Sequence, residues 1–598
     1  MHSKIGIFLV FLFATVLLVP VSTSPLVNAQ GYNDNQYYHQ DFYKKDNYLF
    51  EDNNQPDYND KNGRDYYYHY PSKDKQFNQL VQECEDCFLQ ELYYQLSDKQ
   101  RYFFFDAIEY EFGSLEKLCK LIVNYQISEQ ELKDILRHIL VQLFDKVGYD
   151  NDIDKINSYY SYDKYDNDYY KSIPSQKIDE IINNIIECLF PNPIIYVVWQ
   201  DDATGSNDIF FAASTDNGHT FSTPENLSNN LGNSITPQIA AEGDNVYVVW
   251  RDNTPGNFDT FISVSNDNGH TFSTPKNLSY NLGDSNDQQI ASEGDNVYVV
   301  WRDNTPGNFD IFFSVSNDNG HTFSTPKNLS YNLGDSSFPQ IASEGDNVYV
   351  VWVDGISVNF DILFSSSTNN GKSFSPPDVI SDNTGQSSPQ IAAKGDNVFV
   401  VWSGSTPVGT DILFSFSTNN GKSFSPPDNI SNTPTLSIFP QIAIKGYNVY
   451  LVWEDRVGGD NNIFISFSTN NGKSFSPPDN ISDNIGISGR PQIVAKGDNV
   501  YSVWEDNTPS PPGILFSFST NNGKSFSQPN DISGNIGPSL NPHIAAKGNN
   551  VYVVWEDIVQ GSKDILFSFS TNNGRSFSQP DDISNSPGNS NSPEISVW

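Results

Sequence analysis

The chain has 598 residues and a formal net charge of −39, from 34 basic and 73 acidic residues. This length allows two or three domains, and this charge argues against nucleic acid or anionic lipid as a partner. A strongly acidic surface is typical of a soluble secreted protein, and it also suits one that meets cations or basic partners.

The first 29 residues have the layout of a secretory signal peptide. Lys4 precedes an apolar run from Ile5 to Pro20, and Val27-Asn28-Ala29 stands before Gln30. The apolar run is shorter than the roughly 20 residues that span a bilayer, which argues against an uncleaved anchor. We therefore expect a secreted or cell-surface protein with no membrane span in its mature form.

Two regions of different composition follow. Residues 30–75 are rich in Tyr, Asn and Asp and poor in aliphatic residues, which predicts a disordered linker. Residues 76–190 have helical periodicity, as in Leu132, Ile135, Leu136 and Ile139, and contain a second Tyr- and Asp-rich stretch at about 149–170. This periodicity predicts a small helical bundle.

All four cysteines lie in the helical region, at Cys84, Cys87, Cys119 and Cys188. Because a secreted protein matures in an oxidising compartment, we expect two disulfides, and Cys84 and Cys87 should each pair with a distant partner. The assignment stays open. A four-cysteine zinc site usually shows two close pairs rather than one, and the acidic residues around Cys84 and Cys87 disfavour the thiolate that redox chemistry needs.

Residues 192–598 are organised by eight copies of a short box, such as SNDNGHTF at 265–272. The phenylalanines that close the boxes recur every 51 residues, with a single step of 50, which is typical of repeated supersecondary units. Each box follows a β-type run and contains Asn-Gly, which supplies the positive φ angles of a tight hairpin turn.

The box resembles the Asp-box, or BNR repeat, found in sialidases and in several unrelated secreted propellers. This resemblance implies a hairpin between the third and fourth strands of a propeller blade, away from an active site. The box residue is acidic at Asp216, Asp267 and Asp318 and is Asn in the other five copies. Because Asn also accepts the local backbone hydrogen bonds, we expect the turn to persist there.

Each repeat divides into four short strands, as at 340–343, 347–352, 361–367 and 373–380. The second strand, as in NVYVVW at 245–250, is apolar on both faces, so both faces of each sheet should be covered. This pattern predicts a mainly β protein whose 192–598 region is an eight-bladed β-propeller of the sialidase type. The first repeat lacks its first strand, and residues 592–598 match that strand, so the C-terminus should complete blade one.

Loops on one face of the predicted propeller carry the candidate binding residues. In propellers that this chain resembles, ligands meet the loops between strands two and three and between blades. An aspartate stands two positions after the second-strand Trp in seven blades: Asp201, Asp252, Asp303, Asp354, Asp455, Asp506 and Asp557. Such a ring suits a cation such as Ca²⁺ or sugar hydroxyls. The alternative is a turn-capping Asp that was duplicated with the blade, and no other cofactor is expected.

Sialidase chemistry, which the resemblance raises, requires three arginines around a carboxylate, a Tyr nucleophile with a Glu, and an Asp acid/base. Arg251, Arg302 and Arg456 are the arginines that could share the ligand face. However, residues 251–285 and 302–336 differ at only two positions, and an active site needs residues that one blade has and the others lack. We therefore predict a non-catalytic binding or scaffolding module for glycans or proteins, with a sialidase-like glycoside hydrolase as the alternative.

Asn-x-Ser sequons recur with the blades and are candidate N-glycosylation sites, unless they are repeat consensus alone. They begin at Asn226, Asn277, Asn328, Asn429 and Asn480.

Overall fold

The computed structural model describes residues 192–598, apart from loop positions 255, 281–282, 306, 332–333, 357–358, 382–384, 458, 483–485, 535–536 and 560, and parts of the helical region between 81 and 185. The predicted signal peptide, the linker at 30–75, the insert at 149–170 and Cys188 lie outside the described residues. No helix within the described ranges is long and apolar enough to cross a membrane.

The helical region includes a helix at Leu115–Val123. Ser114 precedes this helix, and its hydroxyl accepts a hydrogen bond from the Lys117 backbone N–H at 3.1 Å, as an N-cap residue does. The apolar face predicted around Leu132 and Leu136 is helical and buried. The prediction of a helical region is thus confirmed.

A disulfide joins Cys84 and Cys119, whose Cα atoms are 5.7 Å apart and which are separated by 35 positions in the sequence. This bond confirms that Cys84 pairs with a distant cysteine. Cys87 is also disulfide-bonded. Disulfides therefore cross-link the helical region, as expected for a small domain of a secreted protein.

Eight sheets of four antiparallel strands form the propeller. The first strands, which contact one another from blade to blade, are Ser590–Val597 in blade one and then Ser234–Glu242, Ser285–Glu293, Asp335–Glu344, Gln386–Lys394, Ser437–Lys445, Ser488–Lys496 and Ser539–Lys547. The second strands are Ile195–Asp201, Asn245–Asp252, Asn296–Asp303, Asn347–Ile356, Asn397–Ser405, Asn448–Val457, Asn499–Asp506 and Asn550–Val559. The third strands are Asp208–Ser214, Asp259–Ser265, Asp310–Ser316, Asn359–Ser367, Thr410–Ser417, Asp460–Ser468, Gly513–Ser519 and Ser562–Ser570. The fourth strands are Glu225–Asn226, Lys276–Asn277, Lys327–Asn328, Asp378–Val379, Asp428–Asn429, Asp479–Asn480, Asn530–Asp531 and Asp581–Asp582.

All four strands of blade four have bounds that differ from the prediction, and the first and fourth strands differ most. In blade four the first strand begins at Asp335 rather than at 340, because a bulge between Ser337 and Gln340 lets pairing with the second strand continue beyond it. The fourth strand is only Asp378–Val379, because the Pro pair before it lacks the N–H groups that a longer ladder would need.

The second strands carry the core, with alternate residues facing the two neighbouring blades. In blade four, Val350 and Trp352 pack with blade three, whereas Tyr349 and Val351 pack with blade five. The eight second-strand tryptophans, from Trp199 to Trp555, are at most 1% exposed. Both faces of each sheet are therefore covered, as the apolar pattern predicted.

The C-terminal strand closes the ring. Ser590–Val597 pairs antiparallel with Ile195–Asp201, and Ile194 and Trp598 exchange two backbone hydrogen bonds of 2.9 and 3.0 Å. The ring therefore has no open blade at the point where the chain begins and ends its circuit, and the predicted closure is confirmed.

The strand connections lie on two faces of the ring. The box turns and the turns between strands one and two share the box face, where the Asn268 N–H donates to the Asp244 carbonyl at 2.8 Å. The opposite side, called the loop face here, carries the loops between strands two and three and the loops between blades. There the Asn253 N–H donates to the Asn233 carbonyl at 3.2 Å.

Candidate functional site

The boxes form closed hydrogen-bonded turns on the box face. Asp267 accepts bonds from the Thr271 N–H at 2.9 Å and from the Thr271 and Ser265 hydroxyls, and these bonds lower the pKa of Asp267 to about 2. In an Asn box, Asn369 accepts from the Ser373 N–H at 2.9 Å and donates to the Ser373 hydroxyl at 2.8 Å. The turn therefore persists with Asn, as predicted. In both kinds of box, the Asp or Asn side chain is hydrogen-bonded to other residues of the same turn.

The seven aspartates predicted as an acidic ligand surface lie inside the blades. Their exposure is between 0 and 6%, and each accepts a hydrogen bond from a serine in the first strand of its own blade. In blade two, Asp252 accepts from the Ser234 hydroxyl at 2.6 Å and from the Thr254 N–H at 2.7 Å. This burial corrects the ligand-surface interpretation of Asp201, Asp252, Asp303, Asp354, Asp455, Asp506 and Asp557 and matches the turn-capping alternative.

The carboxylates of the described residues are also not grouped for metal binding. Within that part of the chain, no three or more His, Cys, Asp or Glu side chains are placed to hold an ion.

The sequon asparagines are part of the same internal network. The Asn277 side-chain amide donates to Asp259 at 2.7 Å, and Asn226, Asn328 and Asn429 make the equivalent bond to Asp208, Asp310 and Asp411, at or next to the start of the third strand. Asn480 donates to Asn462, the third residue of its third strand, at 3.4 Å. The repeat of Asn-x-Ser thus has a structural role, because its amide nitrogen anchors the fourth strand.

The three arginines considered for a sialidase-like site, Arg251, Arg302 and Arg456, do not lie together. Arg251 and Arg302 lie in the second strands of blades two and three, whereas Arg456 is exposed in blade six. Blade six is directly across an eight-bladed ring from blade two. A clamp that uses all three guanidinium groups on one carboxylate is therefore not formed.

Two positions in each blade bring differing residues to the mouth of the central channel on the loop face. The first follows the second-strand Trp and is occupied by Gln200, Arg251, Arg302, Val353, Ser403, Glu454, Glu505 and Glu556. The second is the first-strand bulge, where φ lies between 50° and 55°, and it is occupied by Thr236, Asp287, Phe338, Ser388, Phe439, Arg490, Asn541 and Ser592. The residue type at both positions varies from blade to blade, and such asymmetry is what a single site requires.

On one side of the mouth, the side chain of the residue after the second-strand Trp accepts a hydrogen bond from the bulge of the next blade. Glu505 accepts the Asn541 N–H at 2.7 Å, Glu556 accepts the Ser592 N–H at 2.8 Å, and Gln200 accepts the Thr236 N–H at 2.9 Å. Burial raises the pKa of Glu505, although the Asn541 N–H opposes that shift. These hydrogen bonds hold the bulges in place, and the side-chain oxygens that accept them are already bonded within the protein.

Blade three departs from the others at its bulge. The other seven blades end the bulge with proline, whereas blade three carries Asn286-Asp287-Gln288. Gln288 is 2% exposed, its amide donates to the Thr236 hydroxyl at 3.1 Å, and its Oε1 has no partner among the described residues. A buried acceptor without a partner is costly, so this feature is unusual within the repeat.

Arg251 and Arg302 flank this triplet, and the five residues together are called the mouth cluster here. Arg251 donates to Asn286, and Arg302 Nε lies 3.0 Å from Asp287 Oδ2. Each guanidinium also stacks on a phenylalanine, 4.9 Å from the Phe258 ring centroid for Arg251 and 4.7 Å from that of Phe309 for Arg302. The stacking fixes the guanidinium planes and leaves both Nε–H groups without an aligned acceptor among the described residues.

The mouth cluster holds two guanidinium groups and the Asp287 carboxylate, with Asp284 close by. Burial lowers the pKa of Arg251; Asp287 and Asp284 oppose this shift, and the nearby Arg302 adds to it. Phe338, at the bulge of the next blade, is 51% exposed. The cluster therefore presents two fixed cations and an exposed aromatic ring at one side of the channel mouth.

Sequence reasoning missed the mouth cluster although a signal was present. The comparison of residues 251–285 with 302–336 stops one position before the triplet at 286–288 diverges from 337–339. A bulge leaves no mark in the hydrophobic pattern of the sequence. The register of the strands, which shifts between Asn286 and Gln289, is needed to locate it.

Comparison with known proteins concerns the fold. No family model and no curated protein matches the chain. Among solved structures, an ulvan lyase is 13% identical, with 56% of this chain and 92% of that chain covered and a TM-score of 0.38. The NanB sialidase of Streptococcus pneumoniae is 11% identical, with 63% and 93% covered and a TM-score of 0.33. A Trypanosoma rangeli sialidase is 14% identical, with 47% and 54% covered and a TM-score of 0.30.

The fold itself rests on the blades described above. With eight four-stranded sheets and closure by the C-terminal strand, residues 192–598 form an eight-bladed β-propeller.

Proposed function

We propose that this protein is a secreted or cell-surface, non-catalytic propeller that binds an acidic glycan at the mouth of its central channel. The observation that carries the proposal is the mouth cluster, because blade three replaces the bulge proline of the other seven blades with the polar triplet Asn286-Asp287-Gln288, which lies between two arginines. Secretion rests on the sequence of residues 1–29 and is part of the proposal.

The two arginines favour a carboxylate or sulfate group. A planar guanidinium pairs with such groups through two parallel hydrogen bonds, and stacking on Phe258 and Phe309 holds the guanidinium groups of Arg251 and Arg302 in place. The like charges of the two side chains also disfavour each other. An anion between them would offset that repulsion.

The exposed phenylalanines favour a sugar. Phe338 and Phe439 are 51% and 49% exposed at bulges of the mouth. Ligand sites combine apolar and aromatic surface with a few placed polar groups, and an exposed apolar ring beside two cations supplies both for one face of a sugar and its acidic substituent.

The mouth is less suited to hydrolysis. A general acid or nucleophile must reach the substrate with the required proton. Glu505 and Glu556 accept backbone N–H groups of neighbouring blades, the seven turn aspartates are buried, and Arg456 is across the ring from Arg251. These assignments leave the mouth with groups that bind and orient.

A glycan array with the full-length protein tests the proposal. We expect acidic glycans to be retained and their neutral counterparts to be lost. Arg302→Ala and Phe338→Ala should each weaken retention about tenfold or more, the scale of one charge-assisted pair or one buried aromatic contact. Arg302→Lys should recover only part of the loss, because an ammonium lacks the two-pronged geometry.

Leu231→Ala is the matched control, since Leu231 is 98% exposed on a loop between blades and is outside the cluster. Retention that is unchanged in both Arg302→Ala and Phe338→Ala, with thermal midpoints equal to that of the wild type, would contradict the mouth as the site.

A further inference from the structure

A second ring of charged residues lies at the other end of the central channel, on the box face. It is formed by the last residue of each first strand and is called the end ring here. Blades two to four contribute Glu242, Glu293 and Glu344, and blades five to eight contribute Lys394, Lys445, Lys496 and Lys547. Trp598 stands at the equivalent position of blade one.

The glutamate half shows what this position accepts. The Gly345 N–H donates to Glu293 Oε1 at 3.1 Å, and the Gly395 N–H donates to Glu344 Oε1 at 3.0 Å. The Gly294 N–H donates to Glu242 in the same way. Each carboxylate thus fills the space between its own strand and the turn of the next blade. An oxyanion held by a backbone N–H fits there.

The lysine half repeats the backbone without the carboxylate. The turn glycines have φ angles of 58° at Gly345 and Gly395, and of 59°, 60° and 59° at Gly446, Gly497 and Gly548. The turn is therefore the same in both halves. Lys445 precedes the turn of the next blade, at Gly497, in the same way that Glu293 precedes the turn at Gly345. Within the described residues, the ring positions that adjoin Gly446, Gly497 and Gly548 are therefore lysines, and no ring carboxylate accepts the N–H groups of these glycines.

The lysines also crowd one another. Burial lowers the pKa of Lys496, and Lys445 lowers it further; burial and then Lys496 do the same to Lys547. Lys394 lies 3.2 Å from Glu344, and the Lys547 ammonium lies 5.2 Å from the Trp598 ring centroid.

Two of the four turns beside these lysines are acidic and two are neutral. Asp396 and Asp498 are the turn acids of blades five and seven, whereas Tyr447 and Asn549 occupy the same turn position in blades six and eight. Tyr447 is 72% exposed. On a chain with a net charge of −39, four lysines at successive positions of one ring are a localised cationic feature.

We infer that the lysine half of the end ring is a second binding site, for the carboxylate or sulfate groups of an anionic polysaccharide. Each group takes the place that a glutamate carboxylate fills in blades two to four, where it receives a turn glycine N–H and the charge of the adjoining lysine. Equivalent positions recur one blade apart, so a polymer with repeated charges engages several at once, and its binding is multivalent. This site is on the face opposite the mouth cluster and does not depend on it.

The test is titration of full-length protein with heparin, a sulfated polysaccharide, with dextran as the neutral arm and sodium sulfate as the free-ion arm. We expect heparin to bind and to be weakened by salt, and dextran not to bind. The decisive variant is Lys445→Glu, which rebuilds the glutamate arrangement. It should weaken heparin binding about tenfold or more and should raise the thermal midpoint, because the new carboxylate accepts the Gly497 N–H.

Lys473→Glu is the matched control, since Lys473 is the box lysine of the same blade and face, and the substitution makes the same charge change. It should weaken binding by less than about threefold, through long-range electrostatics alone, with no rise in the midpoint. Lys445→Gln, which removes the charge without adding one, should also weaken binding and serves if Lys445→Glu does not fold.

Four results would overturn the inference. The first is no binding of heparin by the wild type. The second is equal weakening by Lys445→Glu and Lys473→Glu, which would indicate diffuse surface charge. The third is saturation of the lysines by sodium sulfate without heparin binding, which would indicate a site for small ions rather than for a polysaccharide. Loss of heparin binding in Arg302→Ala but not in Lys445→Gln would place the polymer at the mouth cluster instead.

Discussion

Gln386 occupies the space that a side chain at Gly404 would need. These two residues replace the serine and aspartate that are hydrogen-bonded in the other seven blades, and Gln386 Oε1 accepts the Trp402 indole N–H at 2.5 Å. A Cβ atom on Gly404 would overlap Gln386 Oε1. Blade five has therefore exchanged both partners together, and the Trp is satisfied by a different acceptor.

This relationship predicts strong coupling between the two positions. Gly404→Asp alone should destabilise the protein by about 1–3 kcal/mol, because it overpacks a buried site. Gly404→Asp combined with Gln386→Ser rebuilds the pair of the other blades and should recover most of the loss, with a coupling energy of about 0.5–3 kcal/mol. Urea denaturation of the two single variants and the double variant measures this energy, and additive effects would show that the positions are independent.

Closure by the C-terminal strand predicts a large effect of a short truncation. Deleting residues 592–598 removes most of the pairing with Ile195–Asp201 and leaves an exposed sheet edge. The thermal midpoint should fall by at least about 5 °C. Deletion of Trp598 alone is the control and should have a smaller effect. An unchanged midpoint after the longer deletion would mean that blade one is stable with three strands.

The junction of blades eight and one carries a pH-dependent contact. His543 Nδ1 lies 3.1 Å from Glu594 Oε2, in the first-strand position that is glutamine in the other six blades. Burial lowers the pKa of His543, but Glu594 and Glu556 outweigh burial and raise it overall. A raised folded-state pKa stabilises the protein below the unfolded value of about 6.5, and this stability is lost as pH rises through the folded-state pKa.

We therefore expect the thermal midpoint of the wild type to decline above about pH 6.5 relative to that of His543→Gln, which has the side chain of the other blades. Thermal melts of both proteins from about pH 5.5 to 9 test this expectation. A constant difference across that range would show that the contact does not titrate between the two states.

The boxes predict that Asp and Asn are interchangeable but that Ala is not. Asp267→Asn keeps the acceptor for the Thr271 N–H and can donate to the Thr271 hydroxyl, as Asn369 does to Ser373. Asp267→Ala loses these bonds and should lower the thermal midpoint by about 2–4 °C, whereas Asp267→Asn should change it by less than about 1 °C. Equal losses in the two variants would mean that the negative charge itself stabilises the turn.

Much of the fold could be predicted from the sequence, because each sequence repeat forms one blade and packs in the same way. The 51-residue period, the two-sided apolar second strand and the match of residues 592–598 to a first strand predicted the blade count and the closure correctly. These features depend on hydrophobic pattern and turn chemistry, which are local properties of the chain.

The candidate site was not readable in the same way. The aspartate two positions after the second-strand Trp looked like a surface ligand in seven blades. In blades two and three, the serine that begins the first strand, eighteen positions earlier, hydrogen-bonds to it and the pair is buried. The mouth cluster depends on a bulge and on contacts between blades, such as that of Gln288 with Thr236, 52 positions apart. No local pattern reports such pairings, so the register of the strands was needed to find them.

The most direct test of binding without catalysis follows one acidic glycan that the array identifies, incubated with the full-length protein and observed by proton NMR over several hours. The account predicts saturation transfer from the protein to the glycan, its loss in Arg302→Ala, and a glycan spectrum that otherwise stays unchanged. New signals from a cleaved sugar that appear with the wild type and are absent with Arg302→Ala would contradict the account and would make the mouth cluster part of a glycoside hydrolase site.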